Sequence, residues 1–134
     1  QSLRRLVAAL DDLGLTENTL LLVNSDNGAD PNPTYGHNGN NWPLRGEKFT
    51  YWEGAVRVPA FVYAPGLIPS DLEGTTYDGL LHHVDLLTTF TAVAGGRVRE
   101  LDQHLDGINF LPSLTSGSTD YPRDEIVFTL PRKG

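Results

Sequence analysis

Asp26 and Asn27 are the residues whose types and position most directly suggest chemistry, because they follow a largely apolar run at residues 18–24. Such a run, apolar without alternation, predicts a strand buried on both faces, as in a parallel sheet. In open α/β sheets ligands bind at the carboxyl ends of strands, and carboxylate and amide oxygens suit Ca²⁺ or Mg²⁺. The pair therefore predicts metal ligation. Asn27 with Gly28 is also a common turn pair, and taken alone the turn is the better explanation.

The elements that must position this pair follow from hydrophobic spacing. Two helices that end near glycine and three short strands are expected: helices at residues 2–13 and 84–94, and strands at residues 19–25, 58–64 and 126–130. Between the first two strands the sequence lacks periodicity but contains several aromatic residues, which predicts an ordered active-site loop. Residues 101–117 are expected to be irregular. Asp85 falls in the first turn of the second helix, where a carboxylate suits the helix dipole.

The composition limits the classes of partner. The chain has 134 residues, enough for one domain with a core. With 10 basic and 17 acidic residues the net charge is −7, so no basic face is available for nucleic acid. The absence of cysteine excludes disulfides and thiolate metal sites, and no apolar run is long enough to span a membrane. We expect neither a nucleic-acid nor a membrane partner, and the oligomeric state stays open.

Three blocks of sequence carry a resemblance to a known family. In chain order they are Leu22-Val-Asn-Ser-Asp-Asn-Gly28, Gly39-Asn-Asn-Trp-Pro-Leu-Arg-Gly-Glu-Lys-Phe49 and Trp52-Glu-Gly-Ala-Val-Arg-Val-Pro59. Together they resemble the sulfatase family, and the middle block is most similar to arylsulfatases of the arylsulfatase B type. The resemblance implies a sulfuric ester hydrolase of the α/β class. Residues 1–134 would be the carboxyl-terminal fragment of its catalytic domain, part of a sulfatase/alkaline-phosphatase-like three-layer αβα sandwich with a larger mixed sheet.

The resemblance also implies roles for three residues. Asp26 and Asn27 would be metal ligands that form half of a site, with Ca²⁺ as the expected cofactor. Lys48 would be the catalytic and substrate-binding lysine, because a compact ammonium suits the single charge of a sulfate ester. A lone loop lysine is otherwise more often a solvated charge.

The nucleophile of the family is a formylglycine, made from the first residue of a Cys/Ser-x-Pro/Ala-x-Arg motif. No such motif occurs in these residues. We therefore expect the formylglycine upstream of this chain, and we expect the isolated chain to be inactive.

The other residues that could do chemistry are expected to be structural. Trp42 is expected to pack within the loop rather than stack on a sugar, and Arg45 is expected to be structural. Glu53 and Arg57, four residues apart, predict a structural ion pair. His37 lies in the loop and could face substrate. The remaining histidines are expected at a helix cap or on the surface: His82, His83 and His104.

Two classes of function are open at this point. The first is a sulfatase acting on sulfated sugars, with a glycosaminoglycan as the candidate, in a lysosomal or extracellular location by resemblance; the chain shows no signal peptide. The second is a non-catalytic sulfatase-like binding or structural module without a nucleophile. The presence of Asp26, Asn27 and Lys48 favours the enzyme, because a degenerate module should tolerate their loss. A phosphoesterase or phosphonate hydrolase is a third possibility, against which the middle block argues.

Overall fold

The computed structural model describes residues 2–32, 34, 38–96 and 105–128 of the chain. The helices and strands of these residues are α1 (Ser2–Asp12), β1 (Leu21–Asn24), α2 (Glu53–Val56), β2 (Ala60–Tyr63), α3 (Asp85–Val93) and α4 (Leu111–Ser116), with 3-10 turns at Thr16–Asn18 and Ser70–Leu72. The chain divides into two compact units, one formed by Asn18–Ala64 and the other by Gln1–Glu17 with Pro65–Gly134. Within the described residues, no helix has the length and apolar character needed to span a membrane.

The unit Asn18–Ala64 contains the sheet. β1 and β2 pair antiparallel, with Leu21 opposite Tyr63, so both predicted strands are present with shorter bounds. The prediction of a strand buried on both faces, as in a parallel sheet, is wrong here: Val23 is 39% exposed, and the only pairing among the described residues is antiparallel. An apolar run indicates burial but not the direction of the partner strand. The loop after β1 returns the chain beside the strand that it left, which gives the antiparallel direction.

A short helix, α2, interrupts the loop between the two strands. Its Gly54 and Ala55 are buried, and the Arg57 N–H donates to the Glu53 carbonyl at 2.9 Å at its end. A helix of four residues is too short to show hydrophobic periodicity. α2 therefore has no periodic signal in the sequence.

α1 ends as the sequence predicts. Gly14 has a φ of +65°, and its N–H donates to the Asp11 carbonyl at 3.0 Å, while the Leu15 N–H donates to the Leu10 carbonyl at 2.9 Å. These two bonds form the Schellman arrangement, in which a glycine at positive φ lets the chain satisfy the last carbonyls of a helix. α3 ends in the same way at Gly95, whose φ is +75°. Both predicted glycine stops are confirmed.

The core of the other unit lies between α3 and the segment that leads into α4. Phe110 is 1% exposed and Thr89 is fully buried, and the Phe110 N–H donates to Thr89 Oγ1 at 3.1 Å. α4 lies in the region that was expected to be irregular, so that expectation is wrong over Leu111–Ser116. The helix has only 6 residues, and its sequence signal is a single proline, Pro112, in the first turn.

Asp85 ties α3 to the neighbouring segments. Its carboxylate is buried and accepts hydrogen bonds from the N–H groups of His82 and Ile108, each at 2.8 Å. Arg123 donates to both carboxylate oxygens, from Nε at 3.0 Å and from Nη2. His82 Nδ1 accepts from the Val84 N–H at 3.3 Å, but the residue at the helix cap is Val84, which has no side-chain cap bond. Asp85 is therefore half of a buried ion pair, a role that its place in the first helical turn did not reveal.

The predicted last strand is absent from the residues that the structure describes. Ile126–Phe128 have no strand pairing, so the prediction is wrong over these residues, and Thr129 and Leu130 lie outside the described part of the chain. Val127 is 62% exposed. β-branched and aromatic residues favour a strand only where they pack on neighbouring strands.

Candidate functional site

The candidate metal pair lies in a tight turn directly after β1. Ser25 Oγ donates to the Asn27 carbonyl at 2.8 Å. Asp26 Oδ1 accepts from the Asn27 N–H at 2.9 Å, and Asn27 Nδ2 donates to the Gly28 carbonyl at 2.8 Å. The turn is therefore held by hydrogen bonds from its own side chains, as Asp, Asn and Ser commonly do in turns.

The oxygen atoms of this turn fit part of a site for a hard cation. The Asp26 carboxylate is exposed and the Asn27 side chain is half-buried. The Asn27 amide nitrogen is bonded to the main chain, which leaves its Oδ1, a neutral hard donor, turned away from that bond. Ca²⁺ takes six to eight oxygens, and the described residues contain no group of three or more His, Cys, Asp or Glu side chains that could hold a metal. Two oxygens suit Ca²⁺ chemically but do not complete its coordination.

Gly28 is packed so closely that no other residue fits. Its N–H donates to the Ala55 carbonyl at 2.7 Å, and a Cβ at this position would lie 1.7 Å from the Gly54 carbonyl oxygen. Gly54 is itself pressed against the next segment: its N–H donates to the Arg45 carbonyl at 2.7 Å, and its own Cβ would lie 2.4 Å from the Gly46 oxygen. The turn at residues 25–28 (the metal-candidate turn), α2 and residues 45–48 (the lysine segment) therefore pack main chain against main chain. Such close contacts require glycine.

Lys48 is placed beside this stack by its main chain. Its N–H donates to the Ala29 carbonyl at 3.2 Å, and its side chain is half-buried. Its Nζ lies 5.3 Å from the centre of the Phe49 ring, a distance at which an ammonium is attracted to an aromatic face. Phe49 is 88% exposed and has a φ of +75°.

A cleft of about 430 Å³ brings two of the three predicted site residues together. Its lining residues are Ser25, Asn27, Gly28, Ala29, Asp30, Asn40, Asn41, Lys48, Arg57 and Pro59. Asn27 and Lys48 line the same cleft. Asp26 is exposed and is not among the lining residues, so the expectation that both side chains of the pair face one cleft is met by Asn27 alone.

The relatives of this chain identify its family. A family model described as Sulfatase matches residues 1–96. The chain belongs to the sulfatase family. Arylsulfatase J of Mus musculus is 35% identical over 130 residues, which are 97% of this chain and 20% of that protein. N-acetylgalactosamine-6-sulfatase of Canis lupus familiaris is 35% identical over 122 residues, 90% of this chain and 23% of that protein. This sulfatase chain therefore spans about a fifth of the length of the curated relatives it matches.

Solved sulfatase structures share the fold. PsFucS1 sulfatase from Pseudoalteromonas sp. superposes with a TM-score of 0.72 at 36% identity, covering 84% of this chain and 22% of that chain. Ps i-CgsB in complex with k-i-k-neocarrahexaose superposes with a TM-score of 0.69 at 37% identity, covering 81% of this chain and 22% of that chain. The predicted fold class, an α/β part of the sulfatase/alkaline-phosphatase-like fold, is confirmed, as is the predicted family.

Most of the other residues in the loop between β1 and β2 have the role expected of them, and Trp42 does not. Arg45 lies over the Trp52 ring, with Cζ 3.7 Å from the ring centre, which agrees with its expected structural role. Trp42 is 84% exposed, so the expectation that it packs within the loop is wrong. Arg57 pairs with Glu53 at 3.8 Å, as expected.

His83 is exposed. Two histidines with expected positions lie outside the described residues: His37 and His104.

Sequence reasoning missed two residues that line the cleft, Asn41 and Arg57. Arg57 was assigned only to its ion pair, in which both side chains are largely exposed; such a pair contributes little stability. Its place just before β2, whose first residue pairs with the last residue of β1, is a signal that it reaches the same end of the sheet. Asn41 offers no such signal, because its partners are main-chain groups.

Proposed function

We propose that this chain works within a longer sulfatase that hydrolyses sulfate esters of sugars. In that protein it would supply a sulfate-binding lysine and part of a Ca²⁺ site. The observation that carries the proposal is that Lys48 and Asn27, the two residues with the most fitting chemistry, line one cleft. Membership in the sulfatase family supports the same reaction class.

Lys48 would act as a fixed positive charge for the sulfate group. The main-chain bond from Lys48 to Ala29 anchors the residue beside the turn that carries Asn27. A charge held in place before the reaction stabilises negative charge that develops in the transition state, because little reorganisation is needed. The cleft also holds Arg57, a second cation that could attract an anionic substrate.

Asp26 and Asn27 would hold the metal through the Asp26 carboxylate and Asn27 Oδ1. When bound, Ca²⁺ would supply Lewis-acid polarisation of sulfate oxygens and a template for the substrate. The further ligands and the formylglycine nucleophile would come from residues outside these 134.

The substrate class we propose is a sulfated carbohydrate. A matched relative is named for the 6-sulfate of N-acetylgalactosamine, and a matched structure holds a neocarrahexaose. A glycosaminoglycan substrate and a lysosomal or extracellular location are the finer parts of this proposal.

Lys48→Ala in the longer protein tests the proposal. We expect kcat to fall about 100-fold or more, the loss typical when a preorganised charge is removed from a transition state, with the thermal midpoint unchanged. Lys48→Arg should restore little, because a planar guanidinium differs from an ammonium in shape and reach. Arg4→Ala, which removes one positive charge from exposed α1, is the control and should keep wild-type kcat. An alanine variant with wild-type kcat would mean that Lys48 is a surface charge.

The second candidate function is a sulfatase-like module that binds without turnover. It is favoured by the position of the Lys48 ammonium over the exposed Phe49 ring, as expected of a lysine that extends toward solvent. A Cys/Ser-x-Pro/Ala-x-Arg motif in the reading frame upstream of Gln1 would decide for the enzyme. The 134-residue chain alone should give only background hydrolysis of a chromogenic aryl sulfate with Ca²⁺. Turnover by this chain that Lys48→Ala abolishes would contradict that expectation.

A further inference from the structure

The side chain of Asn41 connects two parts of the loop between β1 and β2, one near Asn27 and one near Lys48. Its Oδ1 accepts a hydrogen bond from the Ala29 N–H at 2.7 Å. Its Nδ2 donates to the Ala29 carbonyl at 2.9 Å and to the Gly46 carbonyl at 3.1 Å. The carbonyl oxygen and both amide hydrogens are therefore engaged with main-chain groups.

These three bonds connect the metal-candidate turn to the lysine segment. Ala29 lies two residues after Asn27, and Gly46 lies two residues before Lys48. The Lys48 N–H donates to the same Ala29 carbonyl that Asn41 bonds. The position of Lys48 relative to Asn27 thus depends on a carbonyl group that the Asn41 amide holds.

The three bonds require an amide. One acceptor and two donors are needed on a short side chain, and asparagine is the residue that has them at this length. Aspartate has the same shape, but one of its oxygens would face the carbonyls of Ala29 and Gly46. The Asn41 main chain is itself fixed, because its carbonyl accepts from the Leu44 N–H at 2.8 Å.

We propose that Asn41 is a positioning residue, which sets Lys48 at the cleft and thereby determines how well the lysine meets the sulfate group. This inference rests on the proposed function of Lys48. Asn41 acts through Lys48 rather than on the substrate, because its amide is already bonded to the main chain. A misplacement of about 1 Å at a reacting group can cost roughly 100-fold in rate. A side chain that fixes the position of Lys48 therefore strongly affects kcat.

A double-mutant cycle in the longer sulfatase tests this inference. The variants are Asn41→Asp, Lys48→Ala and the two combined, with kcat, KM and the thermal midpoint measured on an aryl sulfate. Asn40→Asp is the matched control: it adds the same charge in the same cleft, but its oxygen can still accept from the Trp42 N–H, as Asn40 Oδ1 does at 2.9 Å. Relative to this control, Asn41→Asp should lower kcat about 10- to 100-fold and raise KM by less.

In the Lys48→Ala background the cost of Asn41→Asp should shrink to about twofold or less, because coupled residues are not additive. An equal cost in both backgrounds, or no cost in either, would overturn the inference. If Lys48→Ala itself leaves kcat unchanged, the proposed function of Lys48 fails, and the positioning role fails with it. Should Asn41→Asp lower the thermal midpoint, Asn41→Ala, which adds no charge, takes its place in the cycle. If that variant also fails to fold, Asn41 is a folding residue and the inference is wrong.

Discussion

Replacing Asp85 by asparagine should cost the unit that contains α3 and α4 about 3–5 kcal/mol of unfolding free energy. The Asp85 carboxylate is 1% exposed and accepts four hydrogen bonds, two from Arg123 and one each from the N–H groups of His82 and Ile108. Asparagine keeps the volume but removes the charge and replaces one acceptor oxygen with a donor.

The magnitude follows from what the substitution leaves behind. Removing one partner of a buried ion pair leaves the other charge without compensation, which typically costs about 3–5 kcal/mol. The Arg123 side chain is 14% exposed, so water can reach only a small part of its guanidinium. A main-chain N–H, from His82 or Ile108, would also face the new amide NH₂, and an unsatisfied donor costs about 1–3 kcal/mol within that total.

Urea unfolding of the 134-residue chain, followed by circular dichroism, measures the effect. A loss of about 4 kcal/mol moves the midpoint by about 2 M at an m-value of about 2 kcal/mol/M. Asp106→Asn is the matched control, because it makes the same substitution at an exposed carboxylate near Arg123, and the Arg123 guanidinium donates to the main-chain carbonyl of Asp106, which the substitution keeps. We expect this control to stay within about 0.5 kcal/mol of wild type. A cost below about 1 kcal/mol for Asp85→Asn would refute the view that the pair holds these segments together.

Two further predictions concern pH and the glycine stack. Burial raises the pKa of Asp85, but the Arg123 hydrogen bonds, the two main-chain N–H groups and the Arg123 charge together lower it below its usual value. The stability that Asp85 contributes should therefore be complete above about pH 4, the unfolded value, and should be lost as the pH falls toward the lower folded pKa; urea midpoints between pH 7 and pH 3 should show a fall that Asp85→Asn flattens. Gly28→Ala should disrupt the turn, because its Cβ would lie 1.7 Å from the Gly54 oxygen and 2.8 Å from the Ala55 Cα. Gly14→Ala, with nothing within 4 Å of its Cβ, should show only the positive-φ cost of about 1 kcal/mol, and thermal midpoints that fall equally in the two variants would contradict this contrast.

The sequence predicted the elements whose signals are local and periodic. α1 and α3 show apolar spacing over several turns and end at glycines, so their bounds are close to the prediction. α2 and α4 are too short for periodicity, and the pairing direction of β1 depends on where the loop returns, which residue types do not encode. The Asp85–Arg123 pair joins residues far apart in the chain. Only the fold brings them together.

The candidate site was predictable to the extent that it rests on residue chemistry. Asn27 and Lys48 were identified from ligand type and motif, and both line the cleft. The high exposure of the Asp26 side chain was not predictable, because successive residues of a tight turn can differ in burial. Asn41 was missed for another reason: an asparagine in a loop has many possible main-chain partners, and its three bonds appear only once the loop is folded.

Backbone strain and close packing concentrate around the residues that line the cleft. Lys48 and Phe49 are the central residues of a turn closed by the Thr50 N–H, which donates to the Glu47 carbonyl at 3.0 Å. Phe49 has a φ of +75° at the third position, where type II turns usually carry glycine. A bulky residue there costs roughly 1–3 kcal/mol and persists only where the surrounding bonds hold it. The turn places Lys48 among the residues that line the cleft, which is consistent with the anion-binding role proposed for it.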